Sequence, residues 1–317
     1  MATAPFKPSN ELTAIAVAYS QKNLIADLVL PRVSVNTKQF EYTKYNLADE
    51  FTVPQTLVGA KGQPNQIDWA STQVAASVND HALDSPVTND AIEQWEMASA
   101  AGLTKTLSPL ARATRLTMGL VATRRELRAA TLVFNANSYA AANKLTLSGT
   151  GMWSDYTNSD PHYEIMTKMD GMIQRPNVVV FGRNGFTKTS LNPKLKAVAF
   201  GSANAQRALT REMLAEILEV DQVIVGEGWL NIAAKGQAPN MVRIWGNSCA
   251  ALNINADADT ESGLTFGYTA QFGTQFAGTI EDADIGMRGG VRVRAGESVG
   301  EFVTANDLGY LWSNIVN

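Results

Sequence analysis

Cysteine and histidine are scarce in this chain. A single cysteine, Cys249, and two histidines, His81 and His162, occur among its 317 residues. One cysteine excludes an internal disulfide and is typical of a protein kept in a reducing cytoplasm. Metal sites need clustered histidine, cysteine or carboxylate ligands, and these three side chains are isolated in the sequence. We therefore expect no metal and no cofactor; a cysteine nucleophile with a distant histidine stays open in principle, but no motif supports it.

Long hydrophobic runs and an excess of basic charge are also missing. The apolar N-terminal stretch is interrupted at residues 19–23, and no basic segment with a cleavage site precedes it. We expect no membrane span, and a protein made and kept in the cytosol. Lys and Arg number 26 against 30 Asp and Glu, a net charge of -4. That balance argues against affinity for nucleic acid, which needs a basic face.

The composition that remains is that of a globular protein. Hydrophobic residues make up 45% of the chain and charged residues 18%. The length leaves room for two domains or one elaborated domain with a substantial core. The low charge predicts a surface of which much is covered by partners.

Three short motifs resemble ligand or catalytic sites and fail on their context. "GESVG" at 296–300 matches a nucleophile elbow, but both flanks are strand-like and no histidine follows Ser298, so we predict a glycine-rich turn between two strands. "IVGEGWLN" at 224–231 lacks the third glycine of a dinucleotide loop and favours a plain loop. "DADTESG" from Asp257 places its glycine one position late for a calcium loop and favours a solvated turn. We predict no catalytic residues.

The clearest single element is a long amphipathic helix. Ser108 can cap its start, and Pro109 suits the first turn, where no N–H is lost. The sequence "LARATRLTMGLVATRRELRAATLVFN" then continues for roughly 25 residues without proline, longer than usual. We predict that one apolar stripe faces the core; its members are Leu116, Leu120, Leu127, Ala130 and Phe134.

Three arginines of this helix, Arg124, Arg125 and Arg128, lie mostly off that stripe and allow two interpretations. They could form a solvated face balanced by Glu126 within the helix. Alternatively, their guanidinium groups could contact a neighbouring subunit or a phosphate, a role that the planar fork of arginine suits. The sequence alone leaves both open.

Strand and helix patterns alternate along the rest of the chain and predict an α+β fold. "RVSVNTKQFEYTKYN" is typical of one long strand, whereas residues 46–80 are polar, punctuated by glycine and proline, and lack a convincing core segment. A tongue of this length would be unstable unless another molecule covers it. Asp90 and Glu93 are placed to cap a helix. The segment from Gly289 predicts a β-hairpin and a last strand.

The segment 145–165, "LTLSGTGMWSDYTNSDPHYEI", combines two glycines, two aspartates and a histidine, as a metal or phosphate site would. We interpret it as a structural corner. Gly149 and Gly151 permit turn geometry, Asp155 and Asp160 can bind the local backbone, and Trp153 anchors the turn by burial.

The order of these parts resembles the major capsid proteins of tailed bacteriophages, the Hong-Kong-97-like fold. "IADLVLPRVSV", "LSGTGMWSD", "DPHYEI", "RPNVVVFGRNGFTKTSLNPKL", "VDQVIVGEGWLN" and "NDLGYLWSNIV" are similar to phrases of one capsid subgroup, and together they cover nearly the full chain. The resemblance implies an N-terminal arm at 1–32, an extended β-hairpin loop at 33–80, a peripheral domain with the spine helix at 81–160, an axial domain at 161–279 and a return to the peripheral domain at 280–317.

The resemblance also implies a function. It predicts a non-enzymatic coat protein whose hexamers and pentamers, by way of a procapsid, build an icosahedral virion shell around double-stranded DNA bound without sequence specificity. A separate scaffolding protein is expected, because the chain begins at Met1 without the extra N-terminal domain that serves some relatives as a scaffold. The resemblance also implies a portal as a partner and allows for a decoration protein. The predicted contacts between subunits are Phe40, Tyr42, Phe51, Trp69, Arg124, Arg125 and Arg128.

Two alternatives and one reaction accompany this prediction. An encapsulin-like bacterial compartment has a similar fold around protein cargo, and a hydrolase using Ser298 or Asp155 is the enzyme alternative. Some family members cross-link lysine to asparagine, for which Lys61 with Asn314 or Asn317 could supply the groups. We predict the ordinary roles of solvated lysine and terminal asparagine.

Overall fold

The computed structural model describes residues 6–18, 24–45, 53, 56–58, 62–66, 71–103, 106–201, 207–234, 236–260 and 263–317. Helices and strands are mixed along the chain, as the sequence predicts. The helices are α1 (Asn10–Ala18), α2 (Ala26–Val29), α3 (Asn89–Ala100), α4 (Pro109–Val133), α5 (Pro161–Asp170), α6 (Arg183–Ser190), α7 (Pro193–Phe200) and α8 (Arg211–Leu218).

Most of the strands belong to two larger sheets. The strands are β1 (Lys7–Pro8), β2 (Arg32–Val35), β3 (Gln39–Tyr45), β4 (Ser71–Ser77), β5 (Asn79–Thr88), β6 (Lys144–Thr146), β7 (Val178–Gly182), β8 (Gln222–Gly226), β9 (Trp229–Asn231), β10 (Met241–Arg243), β11 (Cys249–Leu252), β12 (Gly267–Phe272), β13 (Phe276–Asp282), β14 (Gly290–Val303) and β15 (Gly309–Ser313).

The six-stranded sheet is built around the long strand β14. The strands β12 and β13 follow one another along one edge of β14 and pair antiparallel with it, and β5 pairs antiparallel with the other edge from Asn79 to Thr88. The strands β1 and β2 extend the sheet beyond β13 and β12. The glycine-rich turn predicted at 296–300 is wrong, because Ser298 lies in mid-strand opposite Asp80. Small residues there let neighbouring strands approach, since a Cβ at Gly296 would collide with the His81 carbonyl.

The spine helix α4 begins as the sequence predicts. The Ser108 hydroxyl accepts a hydrogen bond from Ala111 N (3.2 Å), and Pro109 occupies the first turn. The predicted apolar stripe, however, is wrong at its start: Leu116 and Leu120 are 61% and 63% exposed. The buried face carries mostly smaller or polar side chains, namely Ala113, Thr114, Thr117, Met118, Val121, Arg125 and Ala129. Small side chains let the helix axis approach the sheet closely, which hydropathy alone does not reveal.

The five-stranded sheet has the order β6-β15-β11-β7-β8 and lies in the second half of the fold. Its centre is β11, which pairs antiparallel with both β7 and β15. The last strand, β15, pairs with β11 on one side and with β6, from the range expected for the peripheral domain, on the other. The strands β12 and β13, from the range expected for the axial domain, belong to the six-stranded sheet. The chain thus passes from one sheet to the other between β5 and β6, between β11 and β12 and between β14 and β15.

The long strand expected over residues 33–45 is divided in two. Residues 36–38 form a bend, after which β3 pairs with β4 as a separate two-stranded hairpin, with Gln39 opposite Ser77 and Tyr45 opposite Ser71. Residues 46–80, the tongue expected to lack a core segment, include one buried side chain near their end, Val78, among the described residues. The remainder of the tongue, 46–70, lies mostly outside the described residues.

Two helices begin after a threonine whose hydroxyl caps the first turn. The cap of α3 is Thr88, whose hydroxyl accepts from Ala91 N, so the predicted cap at Asp90 and Glu93 was placed inside the helix. Thr210 caps α8 by accepting from Met213 N.

In the described part of the chain, no helix has the length and apolar character required to cross a bilayer.

Close packing beside the five-stranded sheet depends on two glycines at strand ends. A Cβ on Gly182 would overlap the backbone carbonyls of Trp245 and Gly246, and a Cβ on Gly226 would overlap the Trp245 ring. Trp245 itself is fully buried in a hydrophobic cluster that contains residues of the spine helix and of the five-stranded sheet. Because neither glycine has a side chain, the 245–246 segment can pack directly against the ends of β7 and β8.

Gly182→Ala should destabilise the subunit by about 3 kcal/mol, because the 245–246 segment is held on both sides, by the hydrogen bonds from Ile244 N to Gly228 O and from Gly182 N to Ser248 O, and cannot move away easily. Urea unfolding followed by tryptophan fluorescence measures the effect. Gly246→Ala is the matched control, since a Cβ there meets no atom within 4 Å. Equal stability of the two variants would contradict this account.

Candidate assembly surface

Among the described residues, the motifs that resemble a nucleophile or metal site do not bring catalytic side chains together. Ser298 Oγ donates to Asp80 Oδ1 (2.5 Å), and Asp80 also accepts from Lys38 Nζ (2.6 Å). These two bonds, that from Lys38 first, lower the pKa of Asp80. The neighbouring His81 points to the opposite face of β5, because successive side chains of a strand alternate. No cluster of three potential metal ligands occurs where the structure is described.

Cys249 is buried and is the first residue of β11, the central strand of the five-stranded sheet. Burial raises the pKa of its thiol well above the ordinary value. The thiolate, which is the reactive form of cysteine, is therefore suppressed at neutral pH. This geometry favours the structural role for Cys249.

The segment 145–165 is a hydrogen-bonded corner, as predicted. Trp153 is fully buried, its backbone N donates to Ile315 O (2.7 Å), and its indole Nε1 donates to Glu164 (3.0 Å). Asp155 accepts from the side-chain amide of Asn158 (2.9 Å) and from the backbone N of Asn158 and Thr157; these bonds, the Asn158 side chain first, lower the pKa of its carboxyl. Asp160 caps α5. The carboxylates are occupied by the chain itself.

The base of the β3–β4 hairpin packs on the six-stranded sheet through aromatic side chains. Tyr42 is buried, with its ring 5.8 Å from Phe302 and 6.4 Å from Tyr268. Phe40 packs edge-on against Phe302 at 5.6 Å. The predicted contact residues Phe40 and Tyr42 thus anchor the hairpin to its own subunit. Whether their remaining exposed edges also touch a neighbour stays a prediction.

Arg125 is one of four charged side chains that form a closed ring of ion pairs. Its guanidinium donates to Glu297 (2.9 Å) and to Asp27 (2.7 Å). Arg32 closes the ring by donating to Glu297 (3.1 Å) and Asp27 (2.9 Å). Arg125 and Glu297 are 6% and 1% exposed, and burial, the largest cause, raises the pKa of Asp27. The ring joins α2 and the start of β2 to the spine helix and β14.

Two neighbours of Arg125 strengthen the same junction. Glu126 is fully buried and accepts from the backbone N of Ile25 (2.9 Å) and of Ala26 (2.8 Å), and from Trp245 Nε1 (2.5 Å). Burial raises the pKa of Glu126. Arg128 forms a bidentate pair with Glu301 (2.8 and 3.0 Å).

The predicted arginines therefore have different environments. The interpretation of a solvated face balanced by Glu126 is wrong for Arg125 and Arg128, which pair with β14. Arg124 is exposed on the helix surface. Phe51 and Trp69, the other predicted contact residues, lie outside the described residues, as does Lys61. Among the seven, Arg124 is the charged side chain that the described structure leaves open to a partner.

The junction residues Asp27, Glu297 and Glu301 were missed from the sequence. Glu297 and Glu301 are four residues apart and their partners Arg125 and Arg128 three, but each pair joins positions 172 or 173 residues apart in the chain. The sequence signal for this junction was the acidic pair Glu297 and Glu301, and the glycines beside these residues led to the prediction of a turn instead.

Comparison with known proteins identifies the family. No protein-family model matches the chain. A major capsid protein of Pseudomonas phage JBD67 is 45% identical over 316 residues, which cover 100% of this chain and 99% of the relative. This chain belongs to the phage major capsid proteins.

Solved structures confirm the fold of this capsid protein. A phage-related protein from Bordetella bronchiseptica RB50 matches with a TM-score of 0.72 at 19% identity, over 99% of this chain and 98% of that one. The capsid of cyanophage P-SCSP1u matches with a TM-score of 0.58 at 10% identity, over 93% and 89%. The predicted Hong-Kong-97-like α+β fold is confirmed.

Arg125→Met should lower the free energy of unfolding of the capsid subunit by about 3–5 kcal/mol, because it leaves Glu297 buried without its main partner. Urea unfolding measures the loss. Lys7→Met is the control, since the Lys7–Glu281 pair is 61% and 67% exposed and should matter little. A similar effect of both substitutions would show that the buried ring is not what holds the junction.

Cys249 should resist iodoacetamide at pH 8 in the folded subunit and react once urea unfolds it, because burial keeps the thiol protonated and covered. Intact-mass spectrometry counts the added group. Rapid labelling of the folded subunit would show instead that the thiol is accessible.

Proposed function

We propose that this capsid protein is the coat subunit of a tailed phage and that its hexamers and pentamers close an icosahedral shell around double-stranded DNA. The observation that carries the proposal is the full-length identity of 45% to a phage major capsid protein. That relationship favours a phage shell over the bacterial compartment and over a hydrolase. Membership in a structural family implies shell building and not catalysis.

The two sheets provide the material for two domains. We assign the six-stranded sheet and the spine helix to the peripheral domain, and the five-stranded sheet with α5 to α8 to the axial domain. The strand pairing supports this division. The segment from Lys7 to Arg32 serves as the arm, and the hairpin β3–β4 is the base of the extended loop.

The β3–β4 hairpin supports assembly because, among its described residues, the contacts with its own subunit lie at its base. Phe40, Tyr42, Val74 and Ala76 pack near the sheet. Further along, the described loop residues Val53 and Leu57 are 89% and 81% exposed. Exposed apolar side chains on a projecting segment are typical of an interaction site. A neighbouring subunit is the partner that a shell supplies, and many such contacts add up because each subunit is held several times.

Several partners complete the proposal. A separate scaffolding protein and a portal guide assembly in the cytoplasm of the host bacterium, and a decoration protein binds the finished shell. The net charge of -4 supports packaging without sequence-specific binding, because an acidic wall does not hold the DNA tightly.

The contents of purified particles test the function. Expression in a phage-producing host should give shells, visible by electron microscopy, that contain nuclease-protected DNA. Shells filled with a protein cargo and free of DNA would instead support the compartment. A chain that forms no particles with its scaffold present would contradict both.

Deleting residues 50–70 should leave a folded subunit that cannot close shells. Tyr45 and Ser71 are paired, so the remaining residues 46–49 form a four-residue connection that a hairpin tolerates. Thermal unfolding of the deleted subunit checks its fold, and negative-stain microscopy counts shells. Normal shells from the deleted chain would refute the role of the loop.

A further inference from the structure

The spine helix exposes a ridge that its own subunit leaves uncovered. Arg112, Leu116, Leu120 and Arg124 follow one another at intervals of four residues and are all exposed. Residues at this spacing form one straight row on a helix, the type of row that packs into the groove of another helix. Two leucines with more than half of their surface in water lie between two arginines. We name these four residues the spine ridge.

The positive charge of the spine ridge is not compensated by its own helix. Glu126 is the acidic residue of α4, and it is buried and turned toward Ile25 and Ala26. Within the described structure, neither Arg112 nor Arg124 forms an ion pair through its side chain. The ridge therefore combines an apolar centre with two unpaired cations.

Helix α3 exposes a surface of the opposite kind. All twelve of its residues are described, and none is buried. Ile92 packs against the core of its own subunit, and Trp95 Nε1 donates to Thr106 O (3.1 Å), so that side of the helix is occupied. Glu93 and Met97 lie away from that side, and Glu96, one turn after Ile92, is exposed at its edge. We name these three residues the α3 face.

The α3 face is apolar at one point and acidic around it. Met97 is 72% exposed. Glu93 and Glu96 are exposed and form no ion pair in the described part of the chain, whereas Asp90 on the same helix pairs with Arg288 at 3.4 Å. The helix thus presents two free carboxylates and a flexible apolar side chain, which adapts readily to a partner surface.

We propose that the α3 face of one copy packs on the spine ridge of a neighbouring copy. The contact rests on the proposed function, because the shell supplies the second copy. Met97 lies against Leu116 and Leu120, and Glu93 and Glu96 face Arg112 and Arg124. The spine ridge extends for about 18 Å along its helix and the α3 face for about 6 Å, so the long side chains of Arg112 and Arg124 reach inward to the two glutamates from the two ends of the ridge. Each copy carries one surface of each kind, which gives a head-to-tail contact able to continue from subunit to subunit.

Cross-linking between two variants tests the contact directly. Shells are assembled from a mixture of Met97→Cys subunits and Leu120→Cys subunits and treated with a short bis-maleimide; the native Cys249 is buried and does not compete. We expect a product at twice 34.1 kDa in the mixture and not with either variant alone. The matched control pairs Met97→Cys with Tyr163→Cys, a 69% exposed position on α5, and should give no product.

Charge reversal tests the electrostatic part. The double variant Arg112→Glu/Arg124→Glu should give at least about tenfold fewer particles, because like charges then face each other. Adding Glu93→Arg and Glu96→Arg should restore the yield. Arg207→Glu, at an exposed position in the other half of the fold, should leave the yield unchanged. The melting temperature of unassembled subunits confirms that each variant folds.

The outcomes separate this contact from the coat function. Shells of the two cysteine variants that form normally and give no mixed cross-link overturn the contact and leave the coat function standing. Loss of particles on arginine reversal without rescue by the glutamate reversal means that another partner occupies the spine ridge, which also overturns the assignment to α3. Failure of the unaltered chain to form shells removes the coat function and the contact together.

Discussion

The structure depends on one constraint, which is that its buried charges must be paired. Arg125 and Glu297 are almost completely removed from water, and an isolated charge in that position would cost several kcal/mol. The pairing is satisfied only when the N-terminal segment, the spine helix and β14 are all in place, since Asp27 and Arg32 complete the ring. Glu126 adds the same requirement for the backbone at Ile25 and Ala26. Three distant parts of the chain are therefore fixed in one geometry.

This junction has a consequence for assembly. The β3–β4 hairpin leaves the sheet immediately after β2, and β2 begins at Arg32, inside the ring. The direction of the β3–β4 hairpin is set where it leaves a rigid element, so the buried ring holds the base of the hairpin in one orientation. A shell of many copies needs such fixed geometry within each subunit, because contacts that are individually weak add up only if they can form simultaneously.

What the sequence could predict was local. Ser108 and Pro109 mark the start of the spine helix, and Trp153 with its two aspartates marks the corner, because caps and turns depend on residues a few positions apart. The partners of Arg125 and Arg128 are more than 170 residues away, and no spacing rule reaches that far. The same limit explains β14. Its glycines and acids suggest a turn until the paired strands and the arginines that neutralise Glu297 and Glu301 are known.

The misplaced stripe of the spine helix has a different origin. Periodicity shows that a helix has an apolar side, but it does not show what covers that side. Leu116 and Leu120 gave the expected signal and are exposed, while Ala113, Thr114 and Thr117 gave a weak one and are buried. In a protein that completes itself only in an assembly, hydrophobic patterning records the interior of the subunit and the interfaces between subunits together. The residues at which a strong apolar pattern and the observed burial disagree are therefore the first places to look for a neighbour, and on this chain they lie along the spine helix.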